Sequence, residues 1–169
     1  MGVKLLPPRL LTLADDVTLF ESGNLAIDEW FRRYAKLALG SGTSKTYIVC
    51  TESGEVAGFY SIATGQVLPA QASARALKGV GQHPIPVIVL TRLAVDLKFQ
   101  GMGLGHGLLK DCGLRVLNVA KIVGVRALVT HAKDEHTANF YQRFGFEPSP
   151  IDDLQLMVLI KDLKAALQG

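Results

Sequence analysis

The stretch VDLKFQGMGLGHGLLKDCGL (Val95–Leu114) decides the fold. On its N-terminal side it closes the apolar run VIVLTRLAV (87–95). That run is too apolar for a half-exposed strand, which places it in the middle of a sheet. On the C-terminal side Leu104, Leu108, Cys112 and Val116 recur every fourth residue, and Leu109, Leu117 and Ala120 widen the stripe. This spacing predicts an amphipathic helix with one buried face. Between strand and helix stand Gly101, Gly103, Gly105 and Gly107 at alternate positions. A strand, a glycine-rich turn and a helix in that order make an anion cradle. The first amides of a helix lack intrahelical partners, the dipole adds positive potential, and glycine admits a bulky diphosphate without Cβ clashes. The loop from Gln100 to Gly105 is therefore expected to hold a diphosphate; the alternative is tight helix–sheet packing with no ligand. Neither common phosphate motif fits. G-x-G-x-x-G would need glycine where His106 or Leu108 stands, and no lysine follows Gly107 as a P-loop requires.

Outward from this centre the elements alternate. RLLTL (9–13) reads as a short strand. Leu25, Ile27, Trp30, Phe31, Tyr34, Leu37 and Ala38 have helical spacing, with Asp28 as a start signal and Gly40 as a stop. Two β-rich runs flank Glu52–Glu55 and predict a hairpin. PAQASARALK (69–78) predicts a short helix opened by Pro69, and GVGQHPIP (79–86) a loop. VRALVTHA (125–132) predicts a strand, and DEHTANFYQRF (134–144) a helix with acidic residues at its front and Gly145 at its end. LQLMVLI (154–160) predicts a last strand, and KDLKAALQG (161–169) a polar tail. The whole chain, 1–169, is expected to form a single mixed α/β domain.

The 169 residues are 49% apolar, enough for a sizeable core, and carry a net charge of +3 that permits a phosphate-rich partner without demanding one. No run is long and apolar enough to cross a membrane, and MGVKLLPPRLL lacks a signal-peptide pattern, so a cytoplasmic location is expected. Cys50 and Cys112 sit in apolar segments and read as buried free thiols. His83, His106, His131 and His136 have no metal-ligand spacing, so no metal is expected.

Gln100-x-x-Gly103-x-Gly105 after a strand resembles the acyl-CoA pyrophosphate loop of the GNAT N-acetyltransferases. NFYQRFGFEPSP (139–150) resembles the same family's pantetheine-side helix, Asn-x-Tyr-x-x-x-Gly-Phe. A narrower resemblance covers nearly the whole chain. FESGNLAIDEWF, TYIVCTESGEVAGFYSIATG, RLAVD, GMGLGHGLLKD and NFYQRFGFEPSPIDDLQLMV are similar, in order, to the GNAT toxins of bacterial type II toxin–antitoxin modules. Phe99 and Gln100 depart from a bulkier or basic pair, and Ser22 from a frequent cysteine.

The resemblance implies an α/β GNAT fold: a central mixed, mostly antiparallel sheet of six or seven strands, its central strands splayed, with flanking helices. It implies acetyl transfer from acetyl-CoA to the α-amine of aminoacyl-tRNA, which blocks translation. It also implies a homodimer, a ribbon-helix-helix antitoxin partner, and DNA contact only through the antitoxin complex. The implied cofactor site is the backbone of Leu93, Ala94 and Val95 for pantetheine, and Gln100, Gly101, Met102, Gly103, Leu104, Gly105 and His106 for the diphosphate, with Asn139 on the pantetheine arm. Tyr141 is the implied catalytic acid: a phenol, with an ordinary pKa of about 10, stays protonated at neutral pH and can hand its proton to a thiolate. Read without the family, Tyr141 is a core aromatic. No general base stands out among Glu52, Glu55 and Asp96.

Among the basic residues Arg92 is singular, because a charge in a buried strand must be paired or face a cleft. Arg92 and Lys36 are expected to line an RNA-facing groove. Two other readings stay open: a GNAT enzyme for a small amine or a protein N-terminus, and a non-catalytic CoA-binding module.

Overall fold

The structure, a computed structural model, describes residues 3–168. Seven strands and five α-helices follow in the order β1 (Arg9–Leu10), α1 (Leu25–Ser41), β2 (Lys45–Cys50), β3 (Val56–Val67), α2 (Ala74–Leu77), β4 (Ile85–Val95), α3 (Leu104–Ala120), β5 (Ala127–His131), α4 (Glu135–Arg143), β6 (Glu147–Ser149), β7 (Asp152–Leu159) and α5 (Ile160–Gln168). The strands hydrogen-bond in the order β1-β2-β3-β4-β5-β7-β6. The β4–β5 pair is parallel, while β1–β2, β2–β3, β5–β7 and β6–β7 are antiparallel. This is the mixed, mostly antiparallel α/β sheet that the family resemblance implies, with β4 fourth of seven.

The chain clusters into two compact units, one of residues up to Ala63 with Thr91–Cys112, the other of Thr64–Leu90 with Gly113 onward. β3, β4 and α3 each run through both.

In the first unit α1 begins at Asn24, whose side chain accepts from the Ile27 amide, and ends at Gly42, which takes the left-handed φ of 74°. These replace Asp28 and Gly40 as the helix signals. Asp28 lies inside the first turn, and Gly40 continues the helix. The buried face of α1 presents Phe31 to Phe59 of β3, stacked at 4.1 Å and 8°, and Phe20 closes on both edge-on. With Leu11, Val17, Ile48, Val56 and Ala94 these rings form the core. On β3, a Cβ at Gly58 would lie 3.0 Å from Leu108 and 3.2 Å from Leu104, so α3 approaches the sheet through the space a side chain would fill.

In the second unit Val67, Ile85, Val87, Ala127, Val129, Met157 and Leu159 make the core. The segment expected as one helix from Pro69 is split: a one-turn 3₁₀ helix at Pro69–Gln71, then α2 capped by Ser73. Arg126 donates to the α2-end carbonyls of Arg75, Ala76 and Lys78 at 3.1–3.2 Å. The expected polar tail is instead helix α5. Leu163 is buried, and it and Leu167 fall where a Cβ at Gly113 would be, at 3.1 and 2.7 Å. Ile160, Leu163 and Leu167 form an apolar stripe at helical spacing that the surrounding lysines mask. The three-residue edge strand β6, with Pro148 inside it, is not predicted either.

Candidate active site

The cradle is built at the end of β4. The β4–β5 ladder runs from Val87↔Ala127 to Leu90↔Thr130, where the Thr130 hydroxyl donates to the Leu90 carbonyl at 2.9 Å. Strand β4 continues to Val95 beyond that ladder, carrying Leu93, Ala94 and Val95. Asp96, 3% exposed, ends the strand. Its amide donates to Ala57 at 2.9 Å, and its carboxylate accepts from the amides of Lys98 (2.9 Å) and Glu21 (3.1 Å). One 3₁₀ turn, Leu97–Phe99, follows, anchored by buried Phe99. Gly101 and Gly103 then take φ of 79° and 81°, a left-handed conformation in which a side chain is strained. A Cβ at either would meet nothing within 4 Å, so the backbone conformation, and not crowding by the protein, selects glycine there. The first rung of α3 is Gly107 N–H to the Gly103 carbonyl at 3.1 Å. The amides of Leu104 and Gly105 precede that rung, at the positive end of a 17-residue helix. The open space around Gly101 and Gly103 and these leading amides fit a diphosphate.

Gln100 has a more specific task than the sequence suggests. Its carboxamide N–H groups reach the carbonyls of Val95 (2.9 Å) and Ser22 (3.0 Å), which braces the glycine turn against β4 and against the loop before α1. Ser22 is itself held by Asp28. That carboxylate, 1% exposed, accepts from the Ser22 amide at 3.0 Å and from its hydroxyl at 2.6 Å. Sequence reasoning missed this carboxylate by reading it as a helix start.

In the second unit α4 is capped by Asp134, which accepts from the Thr137 amide at 2.8 Å. Tyr141 is 5% exposed, its ring edge-on to Phe140 at 5.2 Å and tilted on Phe146 at 5.4 Å. Asn139 stands roughly 200° around the helix from Tyr141. It is exposed, on a groove of about 490 Å³ with Gln142, Pro148 and Leu154. The two residues of the family motif thus occupy opposite faces of α4.

The three candidate bases are occupied. Glu52 pairs with Lys4 at 3.5 Å, Glu55 with Lys98, and Asp96 with the two amides. Lys36 donates to the carbonyls of Leu13 and Asp15, so its ammonium holds the loop before α1. Arg92 is half-buried with its guanidinium carbon 4.0 Å from the centre of the Trp30 ring, and burial pushes its pKa down. Sequence reasoning assigned Trp30 only to the helix stripe and did not foresee this contact. His131 pairs with Asp152 at 3.2 Å. Among the described residues no group of three or more His, Cys, Asp or Glu is placed to hold a metal, and no helix is long and apolar enough to cross a membrane.

A mixed sheet whose central strand outruns its parallel neighbour, and which feeds a left-handed glycine turn into a helix N-terminus, defines the class of acyl-CoA-dependent transferases. The chain belongs to the GNAT acetyltransferase family, whose domain model matches residues 43–148. It is 42% identical over 160 residues, 95% of either chain, to a tRNA-acetylating toxin of Mycobacterium tuberculosis. Among solved structures it resembles AtaT complexed with acetyl-methionyl-tRNAfMet, with a TM-score of 0.88 and 24% identity over 96% of this chain and 98% of that one. It also resembles a tyrosine-to-phenylalanine mutant of AtaT bound to the C-terminus of the antitoxin AtaR and acetyl-CoA, with a TM-score of 0.82 and 24% identity over 98% and 99%. At those identities the two structures speak for the fold.

Proposed function

We propose that this acetyltransferase is the toxin of a toxin–antitoxin pair and moves the acetyl group of acetyl-CoA to the α-amine of an aminoacyl-tRNA. The observation that carries this reading is the 42% identity, across 95% of both chains, to a tRNA-acetylating toxin. The two compact units belong to one catalytic domain. Three elements run through both, and the family match spans parts of both.

Acetyl-CoA supplies a thioester whose carbonyl accepts the amine. The turn Gly101–Met102–Gly103 and the amides of Leu104, Gly105 and His106 bind the diphosphate, and Gln100 holds that turn in place. The backbone of Leu93, Ala94 and Val95 orients the pantetheine, and an N–H of this segment polarises the acetyl oxygen. Tyr141 hands its phenolic proton to the departing sulfur, and the proton that the amine nitrogen sheds on becoming an amide leaves through solvent and restores the phenol. An esterified amino acid has a weakly basic α-amine, already partly neutral near pH 7–8, so a dedicated base is not required. Arg92, and the free donor capacity of Lys36, face the RNA.

The chain forms a homodimer and is restrained by a ribbon-helix-helix antitoxin, through which alone it meets DNA. The AtaT complex with the C-terminus of its antitoxin supports an antitoxin partner. The test is mass spectrometry of the aminoacyl end of charged tRNA after incubation with acetyl-CoA. Tyr141→Phe should lower the acetylation rate by roughly 10²–10⁴. An unmodified aminoacyl end overturns the substrate, and an equal rate overturns the proton donor.

A further inference from the structure

Arg92 lies half-buried in β4, and among the described residues no carboxylate pairs with it. Its partner is the face of Trp30. Trp30 is backed in turn by Phe59, nearly parallel at 6.3 Å and 20°, and Phe59 by Phe31 at 4.1 Å. The guanidinium carbon thus lies over Trp30, the ring of this aromatic series that Arg92 contacts. Leaving a partly desolvated charge without a carboxylate is costly, and one aromatic face offsets only part of that cost. Among the described residues its N–H groups have no hydrogen-bond acceptor, which leaves them for a ligand.

Chain direction indicates which ligand. With the diphosphate at Gly101–Gly105 and pantetheine running back along Val95, Ala94 and Leu93, the thioester end points toward the start of β4. Arg92 is the next residue, one rise of about 3.3 Å further on. Alternation puts Arg92 on the same face of β4 as Ala94, which packs in the core with Phe31 and Phe59. An acceptor whose amine meets that thioester carries its neighbouring groups onto this shelf.

We infer that the Trp30–Arg92 shelf docks the terminal nucleotide of the acceptor RNA. The nucleobase stacks on the outer face of the guanidinium, and its N–H edge pairs with the adjoining phosphodiester. The inference rests on the aminoacyl-tRNA reading and names the piece of that RNA which sits beside the reacting ester. Guanidinium planes stack on unpaired bases and pair with phosphate through fixed N–H forks, a combination lysine cannot supply.

Wild type, Arg92→Lys, Arg92→Gln and Trp30→Leu are compared on two acceptors, a charged tRNA and the methyl ester of the same amino acid. Binding is followed with an RNA minihelix ending in 2-aminopurine, whose fluorescence is quenched on stacking. The wild type should quench the probe. In the variants the quench should disappear, and the ratio of kcat/KM for charged tRNA to that for the ester should fall roughly 10- to 100-fold. A wild-type ratio and quench in Arg92→Lys and Trp30→Leu, or an equal loss on both acceptors in variants that still bind acetyl-CoA, overturns the shelf. A wild type that acetylates the ester and no charged tRNA overturns the substrate reading first, and the shelf with it. If one variant fails to bind acetyl-CoA and so proves misfolded, the other two decide.

Discussion

Gly103→Ala and Gly107→Ala, four residues apart, should move stability in opposite directions. At Gly103 the backbone sits at φ +81°, and a Cβ would meet nothing within 4 Å. The whole penalty is therefore the left-handed conformation itself, about 1–2 kcal/mol for a residue with a Cβ. At Gly107 the backbone is helical, a Cβ again meets nothing, and alanine removes the entropy cost of a mid-helix glycine, a gain of about 0.5–1 kcal/mol. For a chain of this size each kcal/mol moves Tm by roughly 2–4 °C. Differential scanning calorimetry should then put Gly103→Ala ~2–8 °C below wild type and Gly107→Ala ~1–4 °C above it. Isothermal titration with acetyl-CoA adds the functional half: the strained turn should bind more weakly. If Gly103→Ala melts with wild type, the turn relaxes without cost and is no preformed cradle. If Gly107→Ala is the weaker CoA binder of the two, the diphosphate lies further along α3 than assigned.

Asp28→Ala removes the acceptor for both the amide and the hydroxyl of Ser22 at a site 1% exposed, and should cost about 2–4 kcal/mol in urea unfolding. Recovery of part of that loss by Asp28→Asn would confirm hydrogen bonding, and no loss in Asp28→Ala would refute the clamp. Asp15, held by Arg9 at 2.7 Å and by the Thr12 amide, has its pKa lowered from 3.8 to about 2. A depressed carboxylate stabilises the fold above its unfolded pKa and loses that contribution as pH falls through its folded one. The difference in Tm between wild type and Arg9→Gln should therefore be full above about pH 4, shrink as pH falls and vanish only below about pH 2. A gap that is constant with pH would show that the pair is not the cause.

The centre of the fold was legible because its periodicity changes twice in a short span. A largely apolar strand gives way to glycines at alternate positions and then to a four-residue repeat, and the three in succession favour strand, turn and helix. The hairpin around Glu52–Glu55 and the helix that stops before Gly145 were legible for the same reason. What stayed hidden depends on contacts distant in sequence or on weak local contrast. The stripe of α5 is diluted by Lys161, Lys164 and Gln168. Asp28 has the chemistry of a helix cap, and only the three-dimensional position of Ser22 assigns it elsewhere and leaves the cap to Asn24. Lys36 satisfies backbone carbonyls, which leave no mark in composition. Arg92 could be recognised as anomalous, but not that Trp30 lies beneath it.

The brace around Gln100 explains why the cradle can be ready before its ligand arrives. The loop before α1 is joined to the β4–α3 connection by the Glu21 amide to Asp96, the Leu97 amide to the Glu21 carbonyl at 2.9 Å, and Gln100 to Ser22. Each of these bonds has a backbone group at one end, so none relies on two flexible side chains meeting. The two carboxylates that organise the join, Asp28 and Asp96, are both buried and satisfied by amides or a hydroxyl, which makes a second arrangement expensive. The turn that presents the α3 amides and the helix that carries Trp30 therefore move as one body within the first unit. A diphosphate bound there as proposed need not spend its interaction energy on ordering the turn, and the proposed Trp30–Arg92 shelf would be held in a fixed position beside it.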